Sequence, residues 1–336
     1  MLTPEILVYS YEWHISQSNA FIDLVIDPLK TTANVSHKAW SDQELSVQPA
    51  FENIVFCQLL PPTTWLKSTP ERIVWIPMWD NVRAYPQQWW DALPKNLRIV
   101  AFSEAVALRS RAAGLPTLRL HYFKNPADFS PAAWEGERVL LYWNRCGMIS
   151  PSFLALFCQE LHIDRLLFRA DIDPGIDARA HYTLPNRLGN TRVETLPRTA
   201  TREAYWHLIQ EANVVIAPRL FEGAGMVFLE ALARGCATFA HNAPTMNEYI
   251  VSGVNGYLFQ RQWSFQRLRA AVETRLALGG LLKTPSFAHG LSNHQDWQAM
   301  SNLDIEAIGR RGLQDHLSGY QAWQDTLSEF VRFVCK

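Results

Sequence analysis

Short apolar runs rich in β-branched and aromatic residues recur along the first part of this chain, and they limit its fold more than any other feature. They lie at residues 6–9, 53–56, 72–76 and 98–102, bounded by Pro, Asn or Ser. Runs without polar alternation read as strands buried on both faces, the pattern of a parallel sheet. After the fourth run, Ser103 is a natural N-cap and Gly114 a natural stop for a helix. Residues 118–122 then read as a last strand.

A second alternation follows a break. Residues 122–136 hold Asn125-Pro126, Ser130-Pro131 and a cluster of small residues, which interrupt regular structure. Strands are expected at 139–143, 165–169, 193–196, 214–217 and 236–240, helices near 152–161 and at 226–234, and a loop at 183–190. Thr201 caps a further helix carrying Ala204, Leu208, Ile209 and Ala212 on one side. The expected fold is α/β, with two Rossmann-like doubly wound domains facing each other across a cleft. A length of 336 residues suits two domains of roughly 150 residues each. We place them at 1–124 and 137–312, with an interdomain linker at 125–136. Ligands of such sheets bind outside the carboxyl ends of the strands.

The formal net charge of −1 gives no basic excess of the kind that holds nucleic acid, so no nucleic-acid partner is expected. No apolar run reaches the roughly 18 residues that span a bilayer, and the first residues lack a signal-peptide pattern. Five scattered cysteines, none in a C-x-x-C pair, point to buried free thiols in a reducing compartment and against a zinc site. A cytoplasmic location is the corresponding expectation. Charge is uneven within the first domain. Residues 1–66 carry two Lys/Arg against seven Asp/Glu, and residues 67–124 nine against four. The basic stretch allows peripheral contact with an anionic acceptor or lipid headgroups at the inner face of a membrane; an ordinary solvated surface is the plainer alternative.

The segment with the most chemistry runs from Ala217 to Gly235. A buried strand ends at Pro218, a turn with Gly223 and Gly225 follows, and an apolar helix begins at Met226. Glycines let a backbone approach a ligand, and the free N–H groups of a helix's first turn suit a phosphate. Glu230 stands among Met, Val, Phe, Leu and Ala, where a carboxylate needs a partner. Ribose hydroxyls would serve, and so would a structural Arg.

This stretch resembles the E-x7-E signature of the retaining GT-B glycosyltransferases (glycosyl transferases group 1, family 4-like), with Glu222 and Glu230 as its glutamates. Pro218, the run Glu-Ala-Leu-Ala-Arg-Gly at 230–235, and Asn247-Glu248-Tyr249-Ile250 with the glycines of 253–258 are similar to the family's flanking residues. So are residues 125–131 to its interdomain segment and Phe102-Ser103-Glu104 to a helix start in its first domain. The tail, from Ile308 past Trp323 to Phe330, resembles terminal helices of which the last usually crosses back to the first domain, here residues 313–336.

The resemblance implies that Glu222 contacts the donor sugar and Glu230 the nucleotide ribose. The backbone of Gly223, Ala224, Gly225, Met226 and Val227 would hold sugar and phosphate. A basic pair usually neutralises the diphosphate. Arg145 matches its Arg, but residues 146–151 contain no Lys, which leaves Arg219 or Arg169 as substitutes. The first domain also departs from the pattern: Tyr11-Glu12-Trp13-His14-Ile15-Ser16 stands where the family often has a glycine-rich loop. His14 reads as a structural or surface histidine. Asp80 is the polar group nearest the expected cleft and the catalytic candidate of this domain. Trp65, Trp75, Trp79, Trp89 and Trp90 read mainly as core, with part of the cluster available as an acceptor platform.

The implied activity is transfer of a sugar from a nucleotide-diphosphate sugar to a glycan or lipid-linked acceptor, with retention of configuration. Neither a metal nor a cofactor is expected beyond that co-substrate, and there is no DxD-like motif placed to hold an ion. Arg145 and the helix start would stabilise the leaving diphosphate. Bacterial surface-polysaccharide assembly is a setting by resemblance alone. The rivals are a degenerate, non-catalytic GT-B partner subunit or sugar-binding module, favoured by the missing Lys, and an epimerase or phosphorylase of the same architecture.

Overall fold

The computed structural model describes residues 3–16, 20–41, 51, 53–145, 149–171, 182–197, 199, 201–259 and 300–335. The chain divides into two compact units. The first comprises Met1–Lys124, Phe221–Met226 and Ser318–Lys336; the second comprises Asn125–Leu220 and Val227–Leu317.

The first unit runs through β1 (Glu5–Ser10), α1 (Glu12–Ser16), a π-helical turn at Ile22–Ile26, α2 (Asp27–Lys30), β2 (Asn34–Ala39), β3 (Asn53–Cys57) and α3 (Thr63–Ser68). It continues with β4 (Ile73–Ile76), α4 (Trp79–Val82), α5 (Gln87–Asp91), β5 (Arg98–Ala101), α6 (Glu104–Ala112) and β6 (Thr117–Arg119). All six strands are parallel, in the order β2-β1-β3-β4-β5-β6. The apolar runs form β1, β3, β4 and β5, which are buried along nearly their whole length. Such strands gain stability on both faces, so their sequences carry no alternation. Ser103 Oγ accepts from the Val106 N–H at 3.4 Å and starts α6, and Gly114, at φ +71°, closes it. Trp65, Trp75 and Trp90 lie inside the core with Tyr9 and Phe56, which removes them as an acceptor platform; Trp79 and Trp89 are half-buried against it.

Two features differ from expectation. Strand β2 is polar and half-exposed at the sheet edge, so it shows no apolar run. The last strand, expected at 118–122, pairs with β5 at Thr117–Arg119 instead.

The second unit contains β7 (Val139–Trp143), α7 (Pro151–Glu160), β8 (Arg165–Arg169), β9 (Arg187–Leu188), β10 (Thr191–Leu196), α8 (Arg202–Ile209), β11 (Val214–Ile216) and α9 (Met226–Arg234). Then come β12 (Ala237–His241), β13 (Tyr257–Phe259) and α10 (Ile305–Val334). The sheet order is β13-β12-β11-β7-β8-β10-β9, parallel except for β9. That short antiparallel strand lies within the expected loop at 183–190. Ser150 Oγ and Thr201 Oγ1 accept from the N–H groups of Phe153 and Ala204, capping α7 and α8. Successive strand residues serve different cores: Leu140 and Tyr142 pack with α7, while Val139 and Leu141 pack with α8 and α9. The expected terminal helices are one continuous α10, whose residues through Leu317 count with the second unit and from Ser318 with the first.

No helix among the described residues is long and apolar enough to cross a membrane. Cys57, Cys158 and Cys236 are buried free thiols, and burial pushes the Cys158 thiol up to about 12. Cys146 lies outside the described residues.

Within the first unit, β5 holds the end of α10. The buried Arg98 guanidinium donates to the carbonyls of Phe333 and Val334 at 2.8 and 3.1 Å, and to Asn53 Oδ1 at 3.3 Å. A hydrogen bond from a charged donor contributes about 1.5–3 kcal/mol. Arg98→Met is expected to destabilise the protein by about 2 kcal/mol in urea unfolding and to make the chain after Ser318 the first site of trypsin cleavage. Unchanged stability and cleavage would show that this contact does not hold α10.

Candidate functional site

In a doubly wound parallel sheet, ligands bind where the winding direction reverses, because there the loops leaving adjacent strands diverge and open a crevice. The second unit reverses between β7 and β11: β8 and β10 lie to one side of β7, and β12 and β13 beyond β11. Arg145 follows β7, and the segment Ala217–Gly225 follows β11.

The end of β7 is an aromatic shelf with two guanidinium groups on it. The guanidinium carbons of Arg145 and Arg169 lie 4.7 and 4.1 Å from the Trp143 ring centre. The registers explain this, since Trp143 and Arg169 are partners at the carboxyl ends of β7 and β8. Arg169 is buried, with Nε 2.5 Å from Asp171 Oδ2, and its guanidinium carbon also lies 4.9 Å from the Tyr205 ring. Trp143 Nε1 donates to the Asp171 carbonyl at 2.9 Å, fixing the indole.

Tyr205, on α8, is buried, and its hydroxyl has no hydrogen-bond partner among the described residues. Burial raises its pKa first and the Glu230 carboxylate next, while Arg169, Arg145 and Arg234 act to lower it. Glu230 and the Arg145–Arg169 pair therefore share one electrostatic neighbourhood. Arg234 is committed elsewhere: it donates to the carbonyls of Ile209, Gln210 and Ala212 at the end of α8.

From β11 the chain passes Pro218 and the half-buried Arg219 into the segment Phe221–Met226, which counts with the first unit. Gly225 sits at φ +76°, a conformation that strains any residue with a Cβ, and α9 begins at the next residue. Gly223 is required by space. A Cβ there would lie 2.8 Å from Met78 Cβ and 3.0 Å from Asp80 Oδ1. The structure thus brings Asp80 against the backbone of the Glu222–Gly225 turn within the first unit. Glu222 is 6% exposed and Glu230 8%, a degree of burial that carboxylates reach only with partners. The Arg83 guanidinium covers the Phe221 ring at 4.3 Å.

The first unit has its own reversal, between β1 and β3. His14 follows β1 and is 3% exposed, so it is not a surface histidine; burial lowers its pKa to about 4, partly offset by a hydrogen bond to Gln58. Gln58 follows β3 at φ +65° and donates to Asn81 Oδ1 at 2.7 Å.

Sequence reasoning does not single out Tyr205 or Gln58. Nothing in the residues marks a buried phenol as unsatisfied or a glutamine as left-handed; only the sheet order places them at a reversal. Arg169 carries a weak signal, a cation closing an apolar run. The missing Lys falls partly outside the description, because residues 146–148 are not described. Among the described residues no group of three or more His, Cys, Asp or Glu could hold a metal ion.

Residues 178–284 match the family model "Glycosyl transferases group 1". A sucrose synthase from Melioribacter roseus is 37% identical over 62 residues, a stretch that covers 18% of this chain and 8% of the relative. Among solved structures, HepE of Anabaena in complex with UDP-glucose superposes with a TM-score of 0.58 at 14% identity, over 97% of this chain and 99% of that one. Sucrose-phosphate synthase from Thermosynechococcus elongatus gives 0.61 at 13% identity, over 98% of both chains. Identities this low establish the fold alone, and that fold is the mixed α/β architecture of the GT-B glycosyltransferases. Residues 178–284 are therefore similar to a Glycosyl transferases group 1 domain, within a chain that has the GT-B fold.

Proposed function

We propose that the protein is a retaining, metal-independent glycosyltransferase that uses a nucleoside-diphosphate sugar. The observation that carries this reading is the charge arrangement at the reversal of the second sheet. Arg145 and Arg169 share the Trp143 ring after β7 and β8, and the amino terminus of α9 follows β11. Two guanidinium groups and a helix amino terminus are what a diphosphate requires. Arg169 supplies the second cation that the sequence otherwise lacks. Glu222 orients the donor sugar through its hydroxyls, Glu230 takes the ribose, and the backbone of Gly223–Val227 holds sugar and phosphate. Asp80, beside Gly223, belongs with the acceptor and sugar. The UDP-glucose held by Anabaena HepE supports a uridine nucleotide as the first donor to test.

In the reaction the bond from the anomeric carbon to the diphosphate oxygen breaks, leaving an oxocarbenium-like sugar. The acceptor hydroxyl attacks on the face the leaving group vacates, and its proton passes to a departing phosphate oxygen. No protein nucleophile is needed. The main contribution of the protein is to stabilise the charge growing on the diphosphate.

Glu222→Ala is expected to abolish sugar transfer from UDP-glucose while circular dichroism and the unfolding midpoint stay near the wild type. Full activity in the variant would remove Glu222 from the site. Arg169→Ala is expected to weaken UDP by roughly ten- to a hundredfold in calorimetry, the loss of one charge-assisted contact, and to change uridine binding little. An equal loss for uridine would place Arg169 against the base or ribose instead.

A further inference from the structure

Three groups hold the guanidinium of Arg169. Its carbon lies 4.1 Å from the Trp143 ring centre and 4.9 Å from that of Tyr205, and the two ring centres are 5.8 Å apart. Asp171 ties this cluster together. Its Oδ2 accepts from Arg169 Nε at 2.5 Å, and its carbonyl accepts from Trp143 Nε1 at 2.9 Å. A guanidinium has five N–H groups, and Asp171 takes the single one on Nε. The four on the terminal nitrogens have no acceptor among the described residues. Arg169 is only 8% exposed, and a cation buried that far with its fork unspent is completed by an anion.

If attraction of an anion were all that counted, Asp171 would be the wrong residue. Its carboxylate is fixed against the cation that the anion must reach, and like charges oppose each other. A neutral amide oxygen could accept the same bond from Nε. The charge itself therefore has a consequence, and on the donor reading above the reaction supplies one. In a nucleoside-diphosphate sugar the outer phosphate is esterified. In the product it is free, with a second ionisation at about pH 6, so the product carries nearly one more negative charge at neutral pH. A site with cations alone would hold the product more tightly than the donor. A fixed carboxylate opposes the product's extra charge and narrows that difference.

We propose that Asp171 is a positioning residue that also governs release of the nucleoside diphosphate. It holds Arg169 by Nε, which leaves the terminal nitrogens for phosphate, and its charge limits how much more tightly the product binds than the donor. The proposal rests on the donor reading above and assigns Asp171 no contact with substrate.

The test uses the full chain and Asp171→Asn, which keeps an oxygen for Arg169 Nε and the carbonyl for Trp143 while removing the charge. Asp171 lies outside the helices and strands with its side chain 26% exposed, so circular dichroism and the unfolding midpoint should match the wild type. Asp171→Ser, with the same sign expected, replaces it should the first variant not fold. Both proteins are titrated in a calorimeter with UDP, GDP and ADP, the matching glucose nucleotides and nucleosides, and pyrophosphate. The diphosphate that the wild type binds should bind the variant about tenfold more tightly, its glucose nucleotide about threefold, and the nucleoside equally. A merely structural Asp171 gives weaker or unchanged binding in the variant, and either result overturns the proposal while the donor reading stands. If pyrophosphate binds the variant more tightly but no nucleoside diphosphate binds either protein, the charge effect stands and the donor reading falls. If neither protein binds any of these anions, both fall.

Discussion

A parallel strand can reach its neighbour only by a crossover that returns the chain to the starting end of the sheet, so the loops that leave the strands all gather on one edge. Most of what is functional in this chain follows from that constraint. In the second unit the strands beside the β7–β11 reversal deliver Arg145 and Arg169. In the first unit the same rule brings His14, Gln58 and Asn81 together from loops far apart in sequence. The apolar strands supply the burial that makes such sheets stable, and they leave the loops free to carry polar groups.

The polar groups at the second reversal would be expensive in isolation. Two guanidinium groups over one indole repel each other, and the buried Arg169 is paired with Asp171. The Tyr205 hydroxyl, buried without a hydrogen-bond partner among the described residues, adds to the cost. An arrangement of this kind is stabilised when an anion with hydroxyl groups arrives, and a nucleoside diphosphate has both. The stacking on Trp143 keeps the cations in place beforehand, so little reorganisation is needed when charge develops.

The strands were legible wherever burial on both faces wrote a continuous apolar run: β1, β3, β4, β5, β7, β8 and β11 all lie within a residue or two of expectation. Strand β2 was not, because an edge strand such as Asn34–Ala39 is held by backbone pairing more than by burial. Caps were readable from Ser103 and Thr201, whose hydroxyls act locally. The Glu222–Glu230 spacing stood out as a motif, yet nothing in it told that Asp80 lies against Gly223, a contact between residues far apart in the chain. The tryptophans misled in part: exposure, not composition, separates the Tyr11–Trp13 face from the buried Trp75 and Trp90.

The donor site is the central claim, and nucleotide binding tests it most directly. Wild-type protein and Glu230→Ala would be melted with UDP, GDP, ADP, dTDP and CMP, with and without Mg²⁺. The account predicts that one nucleoside diphosphate raises the wild-type midpoint without the metal, with about 2.7 kcal/mol of stabilisation at a hundred times its Kd, and that Glu230→Ala loses the effect. Stabilisation by no nucleotide, or an equal shift in the variant, would contradict it.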